Sequence, residues 1–354
     1  MPYAVAAMTG RGRIALVLGA GGPVGFAFHA GVLSALAQAG WDAREADVVV
    51  GTSIGAVTGG LLRAGMAPDD LFAWSVGSAL SGAGEALVES AGGWPSFTAA
   101  LQERADSGGA GLFRRAPAAP GLLAELVRNP GRIRPGLLLA GLLPAGTIDP
   151  QPIVSAFDRI LGGDWPDRDL WICATDLDCG ERTVFSASGA SGALSGSTGS
   201  GASAASVGIA VAASSAVPSV FTPVEVDGRR YVDGGAHSPA NTDVLAPLTA
   251  DLAAVVVSVP MGIGGRPGRG GGDLPGRWFN HRSTWRGLAP LREAKVPVLL
   301  VEPGPSELGV MGYDAFELRH RAEIAGRARA ALSKRLAGGA DPIRAVRSPL
   351  GLAG

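Results

Sequence analysis

The stretch "VVVGTSIGAVTGG" (48–60) sets one serine, Ser53, between Gly51 and Gly55, where an apolar run gives way to small residues. A Gly-x-Ser-x-Gly pattern in that setting predicts a sharp strand-to-helix elbow. Bulk on either side of the serine would obstruct the turn, so the flanking glycines have a steric reason. The hydroxyl then sits at a helix N-terminus, where the dipole favours a developing alkoxide. The chemistry this suggests is nucleophilic attack on an acyl carbonyl, which requires a proton acceptor and donors for the oxyanion.

The chain offers four histidines as acceptors: His29 in the helix after the first glycine turn, His237 in a loop, His281 in a polar stretch and His320 in the C-terminal helix. None ends an evident strand. The stronger candidate lies in "RRYVDGGAHSPAN" (229–241), where Asp233 closes a strand and Gly234 and Gly235 follow. Two glycines let the backbone turn tightly and aim the carboxylate at another loop. A plain Asp-Gly turn at a hairpin end is the alternative for this residue.

"IALVLGAGGPVGFAFHAGVL" (14–33) reads as a buried strand, a glycine turn and a helix start. Backbone N–H groups in such a turn attract negative charge, either a dinucleotide pyrophosphate or the oxyanion of an ester under attack. A dinucleotide fingerprint wants Gly-x-Gly-x-x-Gly and an acidic residue ending the second strand. Gly19 and Gly21 fit, but Val24 takes the third position, Gly25 comes one residue late, and the second strand runs into Gly51 and Thr52 instead. The oxyanion is the better fit.

These motifs need elements to hold them. Apolar patterning predicts strands over 14–18, 47–50, 170–175, 183–185, 252–259 and 296–301, with a hairpin of 224–226 and 230–232 across Asp227-Gly228. Helices are expected over 25–38, 54–64, 207–216 and 316–336. Alternating strands and helices argue for a three-layer α/β/α fold with a mainly parallel central sheet. Residues 13–340 read as a single domain, with a loose start over 1–12 and a C-terminal tail over 341–354. Residues 66–150, broken by Pro and Gly, form a helical insertion or cap, and the Ser/Gly/Ala run 186–206 reads as a flexible segment.

Composition narrows the partners. Thirty Lys and Arg against 31 Asp and Glu give no global attraction for nucleic acid. Two cysteines, Cys173 and Cys179, make no disulfide framework. "DLDCGE" (176–181) echoes the start of a calcium loop, but the twelfth position is Ala187 rather than Glu, so no metal site is expected. "MPYAVAAM" is too short for a signal peptide, and no apolar run is long enough to span a bilayer, so a cytoplasmic protein with membrane contact only at its surface is expected. Two arginine groups bear on that contact: Arg114, Arg115, Arg128, Arg132 and Arg134 around the apolar run 136–143, and Arg266, Arg269, Arg277, Arg282 and Arg286. Either they dock on a lipid surface or they form solvated faces. "GRPGRGGGDLPGR" (265–277) contains no aromatic residue and reads as a surface loop rather than an RNA-binding segment.

In combination, the glycine turn Gly19–Gly25, the elbow Gly51–Gly55 and Asp233–Gly235 resemble, in this order, the three motifs of the patatin-like phospholipase family. The approach "AVAASSAVPSVFTPVEVDGRRYVDGGAHSPAN" (210–241), with Pro218, Phe221 and Pro223, is also similar to that family's. The resemblance implies a Ser–Asp dyad without a catalytic histidine, with Ser53 as nucleophile and Asp233 as general base. It implies a lipid or other acyl ester as substrate and no cofactor. Gly21 and Gly22 are the expected oxyanion donors, since Pro23 has no N–H. Val24 stands where the family often carries Arg or Lys, which removes a positive charge near the site. Two other functions stay open: a soluble esterase, thioesterase or acyltransferase with a Ser–His pair, using His237 or His281, or a catalytically silent binding protein of the same fold. Oligomeric state is open as well.

Overall fold

The computed structural model describes residues 12–93, 116–192, 205–264, 274–312, 314–339 and 341–352. Among the described residues nine strands form one sheet: β1 (Arg13–Leu18), β2 (Val48–Thr52), β3 (Asp169–Asp176), β4 (Arg182–Ser186), β5 (Gly189–Gly192), β6 (Val224–Val226), β7 (Arg229–Asp233), β8 (Leu252–Ser258) and β9 (Val298–Val301). Its main path runs β5-β4-β3-β2-β1-β8-β9, with β3, β2, β1, β8 and β9 mutually parallel and β4 and β5 antiparallel at one edge. The parallel strands read as nearly unbroken apolar runs because both faces are covered. Ile14, Leu16 and Leu18 pack into one core while Ala15 and Val17 pack into the other.

The larger core lies under α1 (Gly22–Gln38), α2 (Ile54–Arg63), α3 (Pro68–Val76), α7 (Gln151–Leu161), α8 (Val207–Ser215), α11 (Pro305–Met311) and α12 (Arg321–Gly338). Between α3 and α7 come α4 (Gly82–Ser90), α5 (Pro120–Arg128) and α6 (Pro135–Leu142). The opposite face is closed by the 3-10 segment Thr242–Leu248 and the helices α9 (Leu274–Gly287) and α10 (Ala289–Glu293). The fold is a three-layer α/β/α sandwich.

The hairpin β6–β7 carries the decisive topology. β2 pairs parallel with the first part of β3, ending with Thr52 opposite Cys173. β7 pairs antiparallel with the last part of β3, ending with Asp233 opposite Ala174. The other edge of β3 is taken by β4, so β2 and β7 share one edge and meet with their C-terminal ends at adjacent registers.

Three segments differ from the sequence reading. Residues expected to be a flexible segment from 186 onward begin instead with β5, paired to β4, while 193–204 lie outside the described residues. The stretch read as a tail contains α13 (Asp341–Leu350), whose Ile343, Val346 and Leu350 recur at helical spacing and bury in the core. The last long helix starts at Arg321 rather than 316; the residues before it form turns, and the Ala315 carbonyl accepts from the Val24 N–H of α1 at 3.1 Å. Within 66–150, α3 belongs to the main helical layer, with Trp74 edge-on to Phe26 of α1 at 5.0 Å. α5 and α6 make a separate small core with Leu177, Val232 and Ala236, beside the Asp233 turn.

Candidate active site

Ser53 stands alone between the end of β2 and the start of α2, with φ 56° and ψ −124°. An L-residue rarely adopts that backbone conformation, which costs of order 1–3 kcal/mol and persists only where the surroundings enforce it. Gly51 and Gly55 supply the clearance. A Cβ on Gly55 would lie 2.0 Å from the Leu18 carbonyl oxygen, and one on Gly51 would lie 2.5 Å from Cα of Ala56.

The Ser53 hydroxyl donates to Oδ2 of Asp233 at 2.5 Å, with both residues buried. Oδ1 of Asp233 accepts from the Gly235 N–H at 2.7 Å, so the tight turn through Gly234 and Gly235 fixes the carboxylate that it follows. Burial pushes the Asp233 carboxyl up to about 6, against the opposing pull of the Ser53 and Gly235 hydrogen bonds. The carboxylate is therefore a stronger base than an exposed aspartate.

Three residues that sequence reasoning left without a role hold this junction. Ser214, at the end of α8, accepts from the Ser53 N–H at 2.9 Å and donates to the Cys173 carbonyl at 2.6 Å, which ties the elbow to β3. Thr175 donates to the Asp233 carbonyl at 3.0 Å. Asn241 donates through Nδ2 to Thr52 Oγ1 at 3.1 Å and to the Ser238 carbonyl at 2.9 Å, joining the elbow strand to the loop after Asp233. The only signal for Ser214 was its place in "AVAASS", polar residues inside an otherwise apolar helix.

The glycine turn faces the same place. Its Gly19 N–H donates to the Ser258 carbonyl and its Ala20 N–H to the Pro239 carbonyl. The N–H groups of Gly21 and Gly22 meet no acceptor among the described residues. The same holds for Ile54, first residue of α2, as expected of a helix N-terminus. Gly22 lines a narrow cleft with Ser53, together with Pro23, Ile54, Ser215, Val217, Phe221 and Phe316. Gly21 does not line this cleft and lies against Gly25 and the Pro260 ring. Sequence reasoning did not single out the Ile54 N–H, although its position follows from the elbow motif.

None of the four histidines bonds to Ser53. His29 is fully buried, with Nδ1 at 2.8 Å from Ser258 Oγ and Nε2 at 2.9 Å from the Gly19 carbonyl. Burial lowers its pKa to about 4, so near neutral pH it is an uncharged clamp on the glycine turn. His237 directs Nδ1 to the Gly180 carbonyl, and burial beside Arg134 lowers its pKa to about 3. His281 is bonded to Glu302, and His320 lies near Glu323. Asp176 and Asp178 face Arg229 and Arg230.

The arginine groups divide. Arg134 donates to the His237 carbonyl at 2.6 Å, and the buried Arg277 donates to the Pro260 carbonyl at 2.8 Å, so both are internal braces. Arg114, Arg115, Arg266 and Arg269 lie outside the described residues. No helix among the described residues is long and apolar enough to cross a membrane.

The family model for patatin-like phospholipase matches residues 16–246. Uncharacterized NTE family proteins of Mycobacterium bovis and of two strains of Mycobacterium tuberculosis are each 28% identical over 244 residues, covering 69% of this chain and 48% of the relative. The chain thus spans about half the length of these curated relatives. The matched span carries the glycine turn, the Ser53 elbow and the Asp233 turn, and the chain belongs to the patatin-like phospholipase family.

Proposed function

We propose that the protein is a serine acyl hydrolase that cleaves carboxylic esters of phospholipids or other acyl lipids, with Ser53 as nucleophile and Asp233 as general base. The single observation that carries this reading is the 2.5 Å contact from Ser53 Oγ to a buried carboxylate. Asp233 takes the hydroxyl proton as Oγ attacks the ester carbonyl. The N–H groups of Gly22 and Ile54, with Gly21 behind them, receive the oxyanion. Collapse of the tetrahedral species expels the alcohol, which takes the proton back from Asp233 and leaves an acyl-enzyme. Water, deprotonated by the same carboxylate, then releases the fatty acid. The apolar cleft of Ile54, Val217, Phe221 and Phe316 suits the first carbons of an acyl chain.

A Ser–His mechanism has no supporting contact, since each histidine is committed to another partner. The test is labelling by a fluorophosphonate probe, followed by fatty-acid release from phospholipids, acylglycerols and short-chain esters. Wild type labels and releases acid, whereas Ser53→Ala does neither while keeping its circular dichroism. Labelling that persists in Ser53→Ala refutes the assignment.

A further inference from the structure

Helix α9 carries an unusual surface. Trp278 is 55% exposed and Trp285 40%, with Phe279 and the neighbouring Met261 also exposed. Trp278, Arg282, Trp285 and Arg286 follow each other at helical spacing, so they share one face. An open, shallow cleft is lined by His281, Arg282, Trp285, Arg286 and Arg292. Arg282, Arg286 and Arg292 meet no carboxylate among the described residues, so three cationic side chains gather at one cleft. His281, at the cleft, is bonded at 2.7 Å to the buried side chain of Glu302.

We propose that this face of α9 docks the protein on an anionic lipid surface, with the arginine cleft receiving headgroup phosphates and the exposed rings entering the interface. The inference rests on the lipid-hydrolase reading for its purpose but not for its geometry. Charge complementarity selects an anionic partner, and the exposed apolar rings select a lipid one, because a small soluble anion gives them nothing to enter. Indole rings favour the boundary between water and hydrocarbon. Arg282 lies over Trp278 at 4.7 Å and Arg292 over Trp285 at 4.9 Å, so the rings and the charges form one continuous surface. The helix is also rigidly joined to the catalytic end of the sheet. Arg277 and Asn280 hold the carbonyls of Pro260, Gly262 and Met261, and the Pro260 ring packs on the glycine turn. Docking through α9 sets the glycine turn, and with it Ser53, at a fixed position relative to the lipid.

The experiment is sedimentation of the full chain, as the Ser53→Ala variant, with phosphatidylserine–phosphatidylcholine vesicles and with phosphatidylcholine vesicles alone. Using that variant keeps binding separate from hydrolysis, and soluble-ester turnover of the wild type reports on the hydrolase reading independently. Binding to the anionic vesicles is expected, weaker at high salt. Arg282→Glu with Arg286→Glu should lower the partition coefficient at least about tenfold, since each basic residue near an anionic surface contributes about 1 kcal/mol. The charge-keeping pair Arg282→Lys with Arg286→Lys should retain binding, which guards against mere misfolding. Trp278→Ala with Phe279→Ala should reduce the binding that survives high salt. Full binding by the charge-reversed variant, or no binding to either vesicle, overturns the proposal. Release from the vesicles by millimolar inorganic phosphate, with full binding by the Trp278→Ala, Phe279→Ala variant, overturns it in favour of a soluble-anion site. Release by a single-stranded oligonucleotide overturns it in favour of a nucleic-acid partner.

Discussion

Asp233 meets Ser53 with one carboxylate oxygen and holds its own turn with the other: Oδ2 takes the serine hydroxyl while Oδ1 takes the Gly235 N–H. Neither oxygen needs to swing to begin the reaction. The pair is preorganised at the expense of burying a titratable carboxyl.

That burial sets a pH dependence. A general base works deprotonated, so kcat/KM for a soluble ester should fall as pH drops through about 6. A midpoint near 4 would show that burial does not raise the Asp233 carboxyl, and a rate with no acid limb would show that Asp233 is not the base.

Asp233→Asn separates function from stability. Turnover should fall at least about a hundredfold, the low end of a general base's contribution. Stability should move the other way. The folded carboxyl, near 6, binds its proton more tightly than the unfolded one near 3.8, so this residue's penalty is absent in acid, builds as pH rises between those values and is full above them. Asn removes a penalty of up to about 3 kcal/mol above pH 6. Thermal melts at pH 5 and pH 8 should show the variant's advantage growing with pH.

Gly22→Ala tests the oxyanion turn. Gly22 has φ +58°, and an added Cβ would come within 2.7 Å of the Ala315 carbonyl oxygen. The turn must shift, and an N–H displaced from the developing oxyanion should lower kcat by about a hundredfold or more with little change in KM. Fluorophosphonate labelling should slow in parallel, since it passes through a similar geometry.

Ser214→Ala leaves the Ser53 N–H and the Cys173 carbonyl without their shared partner in a fully buried site. A stability loss of about 1–3 kcal/mol is expected in denaturant melts. A lower kcat at unchanged KM would identify Ser214 as a positioning residue rather than a purely structural one.

Phe316→Ala opens the cleft beside Ser53, where Phe221 and Val217 form the other walls. With p-nitrophenyl esters of increasing length, the preferred acyl chain should lengthen relative to wild type. An unchanged profile would place the acyl chain elsewhere.

The elbow, the glycine turn and the aspartate turn were legible because each depends on local sterics: small residues beside a serine, and two glycines after a strand-end carboxylate. The strands were legible for a related reason, since burial on both faces leaves uninterrupted apolar runs such as Val48–Val50. What brings Ser53 and Asp233 together was not, because β2 and β7 meet only through their shared partner β3. Register of that kind is written in neither segment alone. Ser214 and Asn241 were invisible as braces for the same reason, and the clamp made by His29 was not legible because a buried histidine and a solvated one look alike in sequence. The helix over 341–350 was missed at the chain's end although its spacing of Ile343, Val346 and Leu350 was present.

The end-to-end meeting of β2 and β7 also bears on how the chain acquires competence. The Ser53 elbow is a local unit that forms with its own strand and helix, whereas Asp233 joins only by closing a loop across 180 positions. Such long-range pairing comes late because the entropy of closure is spent before its contacts form. A folding chain therefore passes through states that own the serine without its base, so recovery of probe labelling during refolding should lag behind recovery of helical signal. For the proposed dyad, probe labelling therefore reports a non-local pairing of the sheet, and a partly unfolded molecule holds Ser53 without its base.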